Sequence, residues 1–249
     1  MSENKLLSNS PREAYEPGIL PEGIQSRFVN VNGLRMHVLE AGYETPARPC
    51  VLLLHGFPEL AYTWRRNMLP LAAQGFHVIA PDQRGFGRTT GWEHGYDVDL
   101  QPFGMINLVT DIVALVAALG HNRVQAVVGH DYGATVAAYA ALIRPDIFRS
   151  LVLMAAPFPG VPELALGVEG LPAASQNDPV HEALGALERP RKHYQLYYST
   201  AEADPDMHTP PQGLHAFLRA YFHYKSADWK QNQPYRLGGW KAEELAKMP

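Results

Sequence analysis

Two periodicities alternate along the chain. Arg27-Phe-Val-Asn-Val and Leu34-Arg-Met-His-Val-Leu alternate apolar and polar positions around Asn32-Gly33, which predicts a β-hairpin. Val51 to Leu54 is a short continuous apolar run, as expected of a strand buried on both faces. Trp64 to Gln74 reads as a helix closed by Gly75, and Phe76 to Ala80 as the next strand. Met105 to Leu119 has apolar residues at helical spacing and stops at Gly120. A β-branched strand from Val124 then leads into a helix over Thr135 to Ile143, and Ser150 to Met154 is expected as another buried strand. Strands alternating with helices after an opening hairpin imply an α/β architecture, a mostly parallel sheet with helices on both faces.

From Pro157 the character changes. Pro, Gly and Ala crowd residues 157–179, and helical, aromatic-rich segments follow without a further convincing strand. The expected organisation is an extended arm over 1–25, a core over 26–159, and a helical cap over 160–249 above the carboxyl ends of the strands, where such sheets bind ligands.

Composition narrows the function classes. Hydrophobic residues make up 46% of the chain, enough for a real core, and a formal net charge of −4 gives no electrostatic case for nucleic acid or an anionic membrane. The single cysteine, Cys50, excludes an intramolecular disulfide and reads as a small buried hydrophobe. Met1 to Arg12 is polar, without the apolar core of a secretion signal, and no apolar run is long enough to span a membrane. A cytoplasmic location is expected, with oligomeric state left open. No His-x-x-x-His, Cys-x-x-Cys or acidic cluster has ligand spacing, so neither a metal nor an organic cofactor is expected.

The candidate chemistry lies in Val124-Gln-Ala-Val-Val-Gly-His-Asp-Tyr-Gly-Ala134, a strand running into a small-x-x-x-small turn with Asp131 at its apex and a helix behind it. That context marks a nucleophile elbow. Gly129 and Gly133 are expected because the turn is strained and a Cβ at either place would meet neighbouring backbone. A carboxylate at the apex attacks an sp3 carbon and leaves an alkyl ester that water must hydrolyse. Epoxides or carbon–halogen bonds fit that chemistry; lipids and peptides do not.

A second motif, His55-Gly56-Phe57-Pro58, closes the Val51–Leu54 strand. Together, His-Gly-x-Pro and Gly-x-Asp-x-Gly resemble the epoxide-hydrolase branch of the α/β-hydrolase fold, from about Arg27 to Pro159 and more loosely beyond. The resemblance implies an α/β-hydrolase core with a helical cap and conversion of a small hydrophobic epoxide to a vicinal diol. Asp131 would be the nucleophile. The backbone N–H groups of Phe57 and Tyr132 would form an oxyanion hole, and the Phe57–Pro58 bond would be cis. Lys192-His-Tyr-Gln-Leu-Tyr-Tyr198 resembles the segment that carries a ring-opening tyrosine, which places that donor at Tyr194. Pro58, Tyr197 and Tyr198 would line the substrate's site.

In the resemblance Asp82 and Arg84, in Asp82-Gln-Arg-Gly-Phe-Gly-Arg88, belong to a structural loop behind the elbow, a purpose that a partly buried Asp–Arg pair can serve. His130 is expected to point away from Asp131 and to be packed or hydrogen-bonded. A haloalkane or haloacid dehalogenase of the same fold is the alternative, disfavoured because Tyr132 and Phe57 stand where an indole or amide would hold the halide.

The histidine base and the acid that orients it would follow the cap, whereas the sequence ends at Lys247-Met-Pro249 in what reads as mid-cap. His181, His193, His208, His215 and His223 lie in helical segments without a preceding strand, and Glu163 is the only acid near the last core strand. The expectation is therefore of a truncated chain whose competence is doubtful. A non-catalytic remnant acting as a binding protein is the third reading.

Overall fold

The computed structural model describes residues 13–158, 160, 179–233 and 235–247. These fall into two compact units divided between Pro162 and Glu163.

The first unit holds a six-stranded sheet: β1 (Ile24–Val31), β2 (Leu34–Ala41), β3 (Cys50–Leu54), β4 (His77–Pro81), β5 (Val124–His130) and β6 (Leu151–Met154), in the order β1-β2-β4-β3-β5-β6. The β1–β2 hairpin turns at Asn32 (φ 45°) and Gly33 (φ 76°). Two consecutive positive φ values match the twist of a two-residue hairpin, which is why Asn-Gly sits there. β2 is antiparallel to β4, and every pairing from β4 to β6 is parallel.

Alternation along β3 divides its side chains between two faces. Leu52 and Leu54 pack with α2 (Met105–Ala118) and α3 (Tyr132–Ile143) through Ile112, Leu115, Val136 and Ala140. Val51 and Leu53 pack on the other face with Trp64 and Met68 of α1 (Arg65–Ala73) and the 3₁₀ turn before it (Ala61–Trp64). A strand covered on both faces must be apolar at every position, and all five residues of β3 are buried.

The structure corrects one strand. Ser150 to Met154 reads as buried, yet β6 is the outer strand of the sheet, with Leu151 39%, Val152 45% and Met154 43% exposed. Among the described residues β5 is its only partner. A continuous apolar run reports the wish to be covered, not which neighbours do so.

The described part of the second unit is helical: α4 (Pro179–Gly185), α5 (Tyr194–Tyr198), α6 (Ala203–His208), α7 (Leu214–His223) and α8 (Ala242–Leu245). Its small core joins Leu184 to Ala242 and Leu245. Glu163 and most of the Pro/Gly/Ala stretch lie outside the described residues. No described helix is long and apolar enough to cross a membrane.

Candidate active site

β3 and β5 run side by side and parallel, with Leu54 opposite Gly129. That register brings the chain leaving β3 at His55 next to the chain leaving β5 at Asp131. The approach is so close that side chains are excluded. A Cβ on Gly133 would lie 2.4 Å from the Leu54 carbonyl oxygen, and one on Gly129 would lie 2.2 Å from that of Gly133. Both glycines therefore serve close approach. The strained φ belongs to Asp131 itself, at φ 53° and ψ −121°. A non-glycine residue held there costs about 1–3 kcal/mol, an outlay characteristic of functional turns.

The helix behind the turn starts three residues earlier than its sequence pattern suggests, at Tyr132, with Asp131 as its N-cap. Tyr132 N–H thus belongs to the first turn, where no intrahelical acceptor exists. Asp131 thus stands at the N-terminal end of α3.

Across the gap, Phe57 N–H donates to Asp131 Oδ1 at 3.0 Å. Asp131 N–H donates to the Met154 carbonyl at the end of β6, also at 3.0 Å. Oδ2 accepts no hydrogen bond from the described residues, so one oxygen is held and the other is open. The Phe57–Pro58 peptide is cis, and Pro58 is half-buried beside the donor. Gly56 is part of the same fit: a Cβ there would lie 2.4 Å from Asp131 Cβ. Phe57 and Tyr132 are each more than a third exposed.

The loop bearing Phe57 is clasped from below. Gln83 N–H donates to His55 Nε2 (3.2 Å), and the Gln83 side-chain amide donates to the His55 carbonyl (2.7 Å). His55 Nδ1 faces the Gly56 carbonyl at 2.9 Å. Burial pulls His55 below the ordinary histidine pKa, so the neutral ring can donate from Nδ1 and accept at Nε2. Sequence reasoning passed over Gln83, because its partner lies 28 residues away and no local pattern announces it.

His130 is hydrogen-bonded as expected, and its partner is Glu59: Nδ1 to Oε2 is 2.9 Å. Glu59 also accepts from Thr63 Oγ1 at 3.2 Å. Glu59 directly follows His55-Gly-Phe-Pro58 in the sequence, a proximity that could have flagged it.

The expected Asp82–Arg84 pair does not exist. Arg84 instead forms a two-pronged bond with Asp111 of α2, both contacts at 2.8 Å. Asp82 binds His37 Nδ1 (2.8 Å), Ala61 N–H (2.8 Å) and Arg88 N–H (2.9 Å). Residues two apart point in different directions as the chain turns after β4, and each charge finds its partner on a different element. Burial alone would raise the Asp82 pKa, but the hydrogen bonds from His37, Arg88 and Ala61 outweigh it and hold the carboxyl below its usual value.

The tyrosines expected to serve the substrate lie on α5 in the second unit. Tyr194 is 49% exposed, with its ring against His193 at 4.6 Å and Tyr198 at 5.5 Å. Tyr197 O–H donates to Asp206 at 2.5 Å, a bond to a carboxylate that pushes its pKa up to about 12. That bond occupies the one proton of Tyr197. Tyr198 O–H donates to the phenolic oxygen of Tyr221 on α7 at 3.3 Å, and burial followed by this contact raises its pKa. Among the described residues no group of three or more His, Cys, Asp or Glu side chains could hold a metal ion.

Comparison with known proteins converges on one family. Residues 49–185 match the family model described as the alpha/beta hydrolase fold. An epoxide hydrolase of Caballeronia sordidicola is 39% identical over 136 residues, which is 55% of this chain and 38% of that protein. Epoxide hydrolase A of Mycobacterium tuberculosis is 40% identical over 131 residues, 53% of this chain and 38% of that protein. The structure of potato (Solanum tuberosum) epoxide hydrolase I superposes with a TM-score of 0.61 at 33% identity, over 82% of this chain and 57% of that one. The chain thus spans about two fifths of the length of the curated relatives named here.

Proposed function

Because the chain belongs to the α/β-hydrolase family, we propose that its core opens epoxides by covalent catalysis at Asp131, as part of an epoxide hydrolase. The observation that carries this reading is the Phe57–Asp131 contact at the elbow: a carboxylate with one oxygen held by a backbone donor and the other open. Oδ2 attacks an epoxide carbon, that carbon's bond to the ring oxygen breaks, and the oxygen takes a proton from a phenol, assigned here to Tyr194. The result is a hydroxyalkyl ester on Asp131. Water then adds to the ester carbonyl, and the charge that develops falls on Oδ1, the atom that already accepts from Phe57. Tyr132 N–H is the second donor. Collapse of the tetrahedral intermediate expels the alkoxide, which takes the proton of the newly formed acid, so that a vicinal diol leaves and the carboxylate is restored; the proton lost by the attacking water returns the phenolate to its acid form.

No histidine of the first unit is hydrogen-bonded to Asp131 among the described residues, and His130 is committed to Glu59. The second step therefore lacks a base there, and an adduct on the 249-residue chain should outlast its formation. The test is intact-mass and peptide analysis after incubation with a small aryl epoxide. One equivalent on the peptide containing Asp131, absent from freshly prepared Asp131→Asn, is expected. An unmodified chain, or an adduct elsewhere, overturns the assignment. Faster reaction with a haloalkane, with halide release, would move the protein to the dehalogenase class.

A further inference from the structure

A second set of nucleophilic and titratable side chains lies outside this site. Ser26 Oγ is 2.8 Å from His37 Nε2, and His37 Nδ1 is 2.8 Å from Asp82 Oδ2. His37 and Asp82 are fully buried, while Ser26 is partly exposed on β1, the edge strand at the far end of the sheet from β6. The hydrogen inventory assigns the roles. Asp82 accepts from Ala61 N–H at Oδ1 and from Arg88 N–H at Oδ2, contacts that favour the carboxylate and hold its pKa below the usual value. The proton between His37 and Asp82 is therefore on Nδ1, which leaves Nε2 as an acceptor. Ser26 must be the donor to Nε2, and its oxygen accepts Tyr15 N–H at 3.0 Å. Tyr15 and Phe28 pack edge-on against the imidazole, with ring centroids 5.6 Å and 5.4 Å away, and hold its plane.

We infer that Ser26, His37 and Asp82 form an activated-serine site that accepts a phosphonyl or acyl group from small activated electrophiles. The arrangement is that of a serine nucleophile, a base and an orienting acid, recognised by geometry and not by order in the chain. As Ser26 Oγ bonds to phosphorus, its proton passes to His37 Nε2 and the bond to the leaving group breaks. With a phosphonofluoridate the leaving group is fluoride, and the imidazolium then gives its proton to solvent. Among the described residues one backbone donor, Tyr15 N–H, points at this serine, and it meets Oγ itself. Among the described residues no second donor joins it where an oxyanion would form, so the site is one of stoichiometric modification, not turnover. It is independent of Asp131.

The native 249-residue chain is treated with an alkyl phosphonofluoridate and mapped by peptide mass spectrometry, with exposed Ser150 as internal reference. Ser26 should be labelled about 10²-fold faster than Ser150, the usual worth of a positioned base. Ser26→Ala should remove that label. Asp82→Asn should bring the Ser26 rate towards that of Ser150, because an amide can donate to Nδ1 and place the ring proton on Nε2. If Asp82→Asn does not fold, the wild type in urea decides: the excess rate must vanish on unfolding. Equal labelling of Ser26 and Ser150 in the native chain, an unchanged rate in folded Asp82→Asn, or an excess that persists in urea overturns the inference.

Discussion

Phe57 donates its backbone N–H to Asp131 Oδ1 across 3.0 Å, joining residues 74 apart in sequence. The contact exists because β3 and β5 are parallel neighbours and because three glycines let their exits close on each other. It also divides the carboxylate, tying one oxygen and leaving the other without a hydrogen bond from the described residues.

Gly56→Ala tests that closeness. The added methyl carbon would fall 2.4 Å from Asp131 Cβ and 2.6 Å from Oδ1, so either loop or carboxylate must move. Misplacement by about 1 Å at a reacting group costs on the order of 10²-fold. Alkylation of Asp131 by an aryl epoxide should slow by that order while the far-ultraviolet dichroism stays native. A wild-type rate would show that the Phe57 contact plays no part.

Tyr194→Phe removes one hydroxyl from an exposed ring and leaves the ring contacts with His193 and Tyr198 in place. Alkylation should slow by up to about 10²-fold, the range of general-acid catalysis when a second donor can share the load. Tyr197→Phe is the control, since its hydroxyl is spoken for by Asp206. Loss with Tyr197→Phe and none with Tyr194→Phe would reassign the donor.

Acid should unfold the first unit through identifiable carboxylates. For Asp82, burial raises the pKa but the hydrogen bonds from His37, Arg88 and Ala61 prevail; for Glu40, burial is likewise overcome by the hydrogen bonds from His77 and Arg27. Both folded pKa values lie below the unfolded ones. The unfolded chain therefore takes up protons first, and the stability these groups contribute is fully present above about pH 4–5 and lost as pH falls through the folded values. Urea midpoints should drop below about pH 4 in the wild type and depend less on pH in Asp82→Asn, which should also cost about 2 kcal/mol or more at neutral pH. A midpoint flat from pH 7 to 3 would contradict this.

The exposed apolar edge predicts self-association. Val152 is 45% exposed on β6, and a charge on an outer strand opposes edge-to-edge pairing. Val152→Lys should lower light scattering at matched concentration while changing stability by no more than about 0.5 kcal/mol. Scattering equal to wild type would mean that association, if present, uses another face.

Much was legible in the sequence because it rests on local rules. Asn32-Gly33 declares a hairpin through its positive φ values, the apolar run of β3 declares two-sided burial, and Gly-x-Asp-x-Gly between a strand and a helix declares the elbow. These features need only periodicity, backbone sterics and the chemistry of one side chain. The partners of charged groups were not legible in this way. Asp82 and Arg84 stand two apart in the sequence, yet one meets His37 and Ala61 and the other meets Asp111, 27 residues on. Likewise Glu59 for His130, Gln83 for His55 and the exposure of β6 follow from which strands became neighbours. Hydrogen bonds and coverage are decided by proximity in space, and that proximity is set by strand order and register, which a linear pattern of apolar residues does not encode.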